Sequence, residues 1–600
     1  MRRLPLQLFL PLVTLAACGT DVSGPGASLY ACIYTDPTAL VAGDVVQTRA
    51  ASNQNVCLAA ETTTGEFVFI PFFGRRSPGE DEAEVTVRVD VSGGGFSSST
   101  RSAGADAAGG LTGARLTLGQ GAGALGPEGA DARGADRAGG GRVWIRDPAF
   151  QEHLRQREIE ELEWRIRDVP ARTGAPAAAE GAVSAGAVGA GPVAADVPEV
   201  GAFLDFNVAI SCTEEDIRTG EVVYVSEHAI VVADTANPRE LAPADYAHFA
   251  LTFDTLVYPV ETAHFGAPAD IDENGRSILF FTRAVNELNA FGAEAVTIGF
   301  FWSGDLFPEE STSRLEACPA ANQAEMFYLI APDPLGLVGP SFSLDDVRDL
   351  AIPLIGHEYQ HLVNASRRLF VNDARRFEEP WLNEGLSHVA EELLFYAASG
   401  LEPGLNLTGE DLVATERARL AYNRYQSGNL SNLSRYLSRP DTASLMGIDL
   451  LSTRGATWAF LRYAADRSGR GDRAFFFDVV NSRVSGLDNL RQVLEPDAPL
   501  DWMQDWTVSV FGDDFVAGLP DRFANRSWDL RAVYERTSIG EYPLEVLTLD
   551  PDPLTSVDLL PGGAAYLRFG IAADRRAVIH IEADGQAPNA TLRGSFVRVR

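Results

Sequence analysis

A chain of 600 residues with 46% hydrophobic content is long enough for more than one core, so two or more domains are expected. Its formal charge of −34 excludes an extended phosphate-binding surface, which needs clustered Lys and Arg, so nucleic acid is not an expected partner. The chain has no lysine at all, which removes Schiff-base and lysine-nucleophile chemistry and makes every basic side chain other than histidine a guanidinium.

In chain order, Arg2 and Arg3 lead an apolar run from Leu4 to Ala17, too short for a transmembrane anchor of about 20 apolar residues. The run ends in Leu15-Ala16-Ala17-Cys18-Gly19, which resembles a bacterial lipoprotein signal. That resemblance implies export, a lipid on Cys18 after removal of residues 1–17, and a membrane held through that lipid. The expected location is the bacterial cell envelope, as an outer-membrane or surface lipoprotein, since Gly19 rather than Asp follows the cysteine. An ordinary cleaved signal with an incidental cysteine is the alternative, and it too means export. In an oxidising compartment Cys32, Cys57, Cys212 and Cys318 allow up to two disulfides. Proximity favours Cys32–Cys57 and Cys212–Cys318, although four cysteines permit three pairings.

Residues 19–43 read as a tether. Residues 44–92 read as an N-terminal β module, from the apolar run EFVFIPFF (66–73) and the alternation EVTVRVDV (84–91). Residues 93–199 are Gly/Ala-rich linkers around a helix at 147–168, where Asp147 can cap, Pro148 suits the first turn, and Phe150, Leu154, Leu162 and Ile166 share a stripe. His153 on that helix is a surface residue. From residue 200, strand-like runs at 203–210, 222–232, 277–282 and 326–331 precede a long helical region, 344–515, an order that indicates α+β. Asp270, Asp272 and Asn274 have a spacing that invites calcium, but Gly275 follows at once and the twelfth loop position is not glutamate, so the stretch reads as a polar turn. Residues 540–600 return to alternation as a C-terminal β module, with the final SFVRVR expected at a sheet edge.

The chemistry is concentrated at GHEYQHLVNASRRLF (356–370). Ser343 can cap this helix, Asp345 and Asp346 suit its first turn, and Pro353 should bend it one turn before His357. His357 and His361 lie one turn apart on one face with Glu358 beside them, and Glu358 is the only charge in 354–363. Two neutral imidazoles and a carboxylate that can accept a proton from water form a zinc site of the HExxH kind. A buried helix whose histidines only pack is the plain alternative. A catalytic zinc also needs a third protein ligand and an open position. EEPWLNEGLSHVAEELL (378–394) offers one, Glu384, at the start of a second helix.

His357-Glu358-x-x-His361 with Trp381-Leu382-Asn383-Glu384-Gly385-Leu386-Ser387 resembles the gluzincin metallopeptidases, most closely their hyicolysin-like branch. The resemblance covers about 200–510 and implies a zincin-like catalytic domain at 200–520, a mixed sheet followed by a helical subdomain, flanked by the small β modules. It implies one catalytic Zn2+ held by His357, His361 and Glu384, with Glu358 as general base. His388 and Glu391, one and two turns past Glu384, are candidates to orient a ligand, against a solvated face for Glu391 and Glu392. The metzincin pattern would need Gly and His where Asn364 and Arg367 stand.

Two departures limit the carry-over. Ala324-Glu325-Met326-Phe327 does not match the Gly-x-Met-Glu-Asn strand of the aminopeptidase branch, which weakens an exopeptidase reading. That branch's Tyr-x-Lys-Gly-Ala is here Ser452-Thr453-Arg454-Gly455-Ala456, so the oxyanion-stabilising group is unidentified, and Tyr422, Tyr425 and Tyr463 read as core. The sequence reading is a zinc endopeptidase acting on peptides or proteins. Its rivals are an inactive envelope binding lipoprotein and a zinc hydrolase of a non-peptide substrate.

Overall fold

Apolar, β-branched and aromatic runs between 203 and 330 build one six-stranded mixed sheet. A computed structural model describes residues 40–49, 54–60, 62–74, 84–92, 145–167, 197–293, 295–494, 499–536, 540–549, 555–584 and 591–600. Cys18, Cys32 and both Gly/Ala-rich stretches lie outside them. The sheet order is Gly299–Phe300, Met326–Ile330, Ser277–Thr282, Ala229–Asp234, Ile217–Val225, Phe203–Asn207. Its three middle strands are parallel and buried at every residue, which is why they read as continuous apolar runs without alternation.

The run expected as one strand over 222–232 is two antiparallel strands. They part at Ser226-Glu227-His228, where Asp254 accepts hydrogen bonds from the Ser226 hydroxyl and the Glu227 and His228 amides at 3.0–3.1 Å. A local side-chain acceptor thus turns the chain where hydrophobicity alone predicts continuation. The long helical region follows the sheet as expected for α+β, but the helices Pro243–Thr252 and Tyr258–Phe265 also lie between two of its strands, Ala229–Asp234 and Ser277–Thr282. Leu344–Ser366, Pro380–Ser399 and Leu451–Ser468 pack in sequence, and two glycines set their approach. A Cβ at Gly356 would collide with Leu394, and one at Gly385 with Thr457.

The two terminal segments, expected as separate β modules, share their sheets. A five-stranded sheet runs Val45–Arg49, Leu592–Arg598, Gly65–Phe73, Leu567–Ile571, Leu547–Thr548, and a four-stranded one runs Thr555–Leu559, Val85–Ser92, Arg575–Asp584, Gln54–Ala60. Between them lies a core that includes Phe67, Phe69, Val87, Ile579 and Phe596. Leu592–Arg598 is therefore interior, hydrogen-bonded on both sides, and not the edge expected from SFVRVR. Period-two alternation identifies a strand and its buried face but carries no information on a partner some 500 residues away. Cys212 and Cys318 form a disulfide across 106 residues, and Cys57 is also disulfide-bonded.

Candidate metal centre

The helix Leu344–Ser366 begins at a reciprocal cap. Ser343 Oγ accepts from the Asp346 amide at 3.0 Å, and Asp346 accepts from the Ser343 amide at 2.8 Å. Pro353 lies inside the helix, and every residue from Ala351 to Ser366 is buried. The partner helix Pro380–Ser399 starts beside a buried anchor. Glu378 accepts from Arg368 at 3.0 Å and Asn489 at 2.7 Å, and the Trp381 indole donates to Glu379 at 2.7 Å. Asn364, at the position where a metzincin would need glycine, donates to Asn383 Oδ1 at 2.9 Å and so locks the two helices beside Glu384.

This packing brings together the three residues proposed from sequence as ligands. His357 Nε2 lies 3.4 Å from Glu384 Oε2, and His361 Nε2 lies 3.4 Å from Glu384 Oε1. One donor atom from each falls within 4.8 Å of the others. A tetrahedral ion about 2.0–2.1 Å from each donor separates neighbouring donors by roughly 3.3 Å. Neither oxygen of Glu384 accepts a hydrogen bond, although the residue is 0% exposed. The His357 tautomer fits as well. His357 Nδ1 is 3.0 Å from Glu391 Oε1, so its proton goes to that carboxylate. The Ser387 hydroxyl donates to Gln360 Oε1 at 2.8 Å and lies 3.1 Å from His361 Nδ1 and 3.3 Å from its Nε2, so it touches that ring without selecting a tautomer. The Nε2 lone pair of His357 then faces Glu384, which is how second-sphere partners orient metal-binding imidazoles. The donor set suits a zinc-class cation.

Electrostatics agree with that geometry. Burial alone would raise the Glu384 carboxyl, but Arg454, His361 and His357 outweigh it and hold it well below the usual range, so it is ionised. Burial and the Arg155 guanidinium push His361 down to about 3, which keeps the imidazole neutral. Glu358, 1% exposed, accepts from the Phe301 amide at 3.0 Å through Oε2. Glu391 and Glu392 do not form the solvated face weighed for them: both are buried, and Glu392 accepts from the Trp528 indole at 2.7 Å. His388 stands one layer back, with Nδ1 2.7 Å from Asn429 Oδ1 and 3.4 Å from Glu391. His357, His388 and Glu391 form a second close donor group, but Glu391 already takes the Nδ1 side of His357. Tyr425 and Tyr463 are buried, and the Tyr463 hydroxyl donates to the Arg522 carbonyl.

Two arginines at the centre were not singled out from the sequence as site residues. Arg454, paired in a fork with Asp449, lies 3.0 Å from Glu384 Oε2 without hydrogen-bond geometry. Arg155 comes from the helix Pro148–Leu162, and its Nε is 3.7 Å from Glu384 Oε1. That helix is docked along the edge of the central sheet. Ile145–Arg146 pairs with Ala295–Val296, Gln151 donates to the Gly299 carbonyl at 3.3 Å, and Glu158 accepts from the Ser303 amide at 3.0 Å. Of the expected stripe, Leu154, Leu162 and Ile166 are buried and Phe150 packs on Phe300 at 5.3 Å; His153 is exposed, as expected. Arg155 is the only basic residue of this helix below 5% exposure in contact with the centre, and only its position in space, not a motif, identifies it.

No family model matches the chain. Over 223 residues it is 23% identical to the neutral metalloprotease ShpI of Staphylococcus hyicus, a match that takes in 37% of this chain. The chain spans 42% of the length of that relative.

In the unfolded chain His361 binds a proton as the pH drops below about 6.5, whereas in the fold it stays neutral down to about 3. Through this group the metal-free protein loses stability as the pH falls across that window, by at most about a tenfold change in the unfolding constant per pH unit. Urea unfolding of chelator-treated protein between about pH 7 and pH 4 should show a steeper loss for the wild type than for His361→Gln. Equal slopes would contradict a neutral buried imidazole.

Proposed function

We propose that the chain is a zinc metallopeptidase that cuts peptide bonds within proteins. The observation that carries this reading is the convergence of two buried imidazoles on a buried carboxylate that accepts no hydrogen bond, with Glu358 one residue from the first imidazole. A structural site has no use for that extra carboxylate. The similarity to a metalloprotease supports the same class.

His357, His361 and Glu384 would hold the ion. When bound, zinc lowers the pKa of water to near neutrality and polarises the scissile carbonyl. Glu358 takes the water's proton and returns it to the leaving amine, and the Phe301 amide fixes the orientation in which it does so. Glu391 holds His357 in the tautomer that would bind the ion, and Ser387 packs against the His361 ring. Attachment to the cell envelope through a lipid on Cys18 belongs to the same proposal and rests on residues 1–18 alone. Among the described residues no helix is long and apolar enough to cross a membrane.

His357, Glu358, His361 and Glu384 are each 0–1% exposed, and Arg155 stands against Glu384. In this reading the 148–162 helix covers the centre, and a peptide enters after that helix moves aside.

Glu358→Gln should retain zinc while its rate of casein hydrolysis falls by about a hundredfold or more; a variant that digests casein at the wild-type rate would place the base elsewhere. Arg155→Ala should bind zinc and cleave a short chromogenic peptide severalfold faster than the wild type, because one contact holding the helix down is gone. A slower variant with full zinc would make Arg155 part of the reaction machinery instead.

A further inference from the structure

The segment Asp270-Ile271-Asp272-Glu273-Asn274-Gly275 was set aside in the sequence because Gly275 follows at once and the twelfth position, Phe281, is not a carboxylate; the first objection falls, since glycine at the sixth position is what a calcium loop of this spacing takes. In the fold a carboxylate arrives from elsewhere. Strands Ser277–Thr282 and Met326–Ile330 are parallel neighbours, and the Ile278 amide donates to the Glu325 carbonyl at 2.7 Å. The loop before one strand and the residue before the other therefore meet at the same end of the sheet. One oxygen each from Asp270, Asp272 and Glu325 lies within 4.8 Å of the others. Gly275 occupies the sixth position at φ +69°, where a loop of this spacing needs its turn.

Glu325 is the decisive member. It is 3% exposed, and its Oε1 accepts from the Ile271 amide at 2.7 Å. Its Oε2 is buried and accepts no hydrogen bond. A buried carboxylate is costly unless a cation or donors face it. Among the described residues none of the three acids forms an ion pair. The guanidinium that follows the loop, Arg276, is spent on the carbonyls of Ser226 at 2.8 Å and Asn274 at 2.7 Å. Burial and the charges of Asp272 and Asp270 push the Glu325 carboxyl up to about 8, so near neutral pH it holds a proton that a divalent ion would displace.

We propose that Asp270, Asp272 and Glu325 form a second cation site, for calcium, distinct from the centre at His357, His361 and Glu384. All-oxygen donors on a turn with ligands at alternate residues suit a hard ion of that size better than zinc. The site is joined to the helix that carries the histidines. The Ala269 amide donates to Ser366 Oγ at 2.8 Å, and Arg367 donates to the Ala267 carbonyl. Calcium here braces the C-terminal end of that helix.

The test is thermal unfolding and calorimetric titration of full-length, chelator-stripped protein with CaCl2 alone. Wild type and His361→Ala should each bind one calcium at this site and melt at least about 2 °C higher at saturation. Glu325→Gln and Asp272→Asn should fold, melt in chelator no lower than the wild type because repulsion is relieved, and lose the calcium response. The proposal is overturned if calcium leaves the wild-type melting temperature unchanged, if both loop-site variants respond like the wild type, or if His361→Ala abolishes the response.

Discussion

A carboxylate with no exposure and no hydrogen bond is the constraint to which the rest of the structure answers. Ionised Glu384 in the interior would be expensive alone. The fold surrounds it with two imidazoles, with Arg454 tied to Asp449, and with Arg155 from a distant part of the chain. Each neighbour is fixed by another buried group, Glu391, Ser387, Asp449 or Glu158, so the polar network extends through three packed helices and the docked one. Such a network is stable only when every member has its partner. Both oxygens of Glu384 are among the buried atoms left without a hydrogen bond, which is where the proposed metal ion would bind.

What was legible in the sequence is what local chemistry determines. Ser343 and Asp346 cap the helix they precede, Asp147 caps the helix at Pro148, and HExxH places two imidazoles on one face because a helix turns every 3.6 residues. Glu384 was legible through its motif. The missing parts are non-local. The strand Leu592–Arg598 finds its neighbours at Val45–Arg49 and Gly65–Phe73 across nearly the whole chain, and no periodicity names a partner. Arg155, Asn429 and Glu325 lie in unremarkable sequence and acquire meaning only from what they approach. The polar turn at Asp270–Gly275 was judged on twelve consecutive residues, and the sheet supplies the thirteenth consideration from a parallel strand.

The helix Pro148–Leu162 and the Asp270 loop act on the same structure from opposite directions. The first contributes Arg155 to the centre and covers it along the sheet edge. The second holds the end of the helix that carries His357 and His361 through Ser366. In the proposals made above, the first would limit access and the second would brace the helix that carries the histidines.

Anomalous diffraction at the zinc edge, from crystals of the full-length protein grown with stoichiometric zinc, tests the central claim most directly. The account predicts one strong peak about 2.0–2.2 Å from His357 Nε2, His361 Nε2 and an oxygen of Glu384. A peak seated between His388 and Glu391, or none within reach of Glu384, would contradict it.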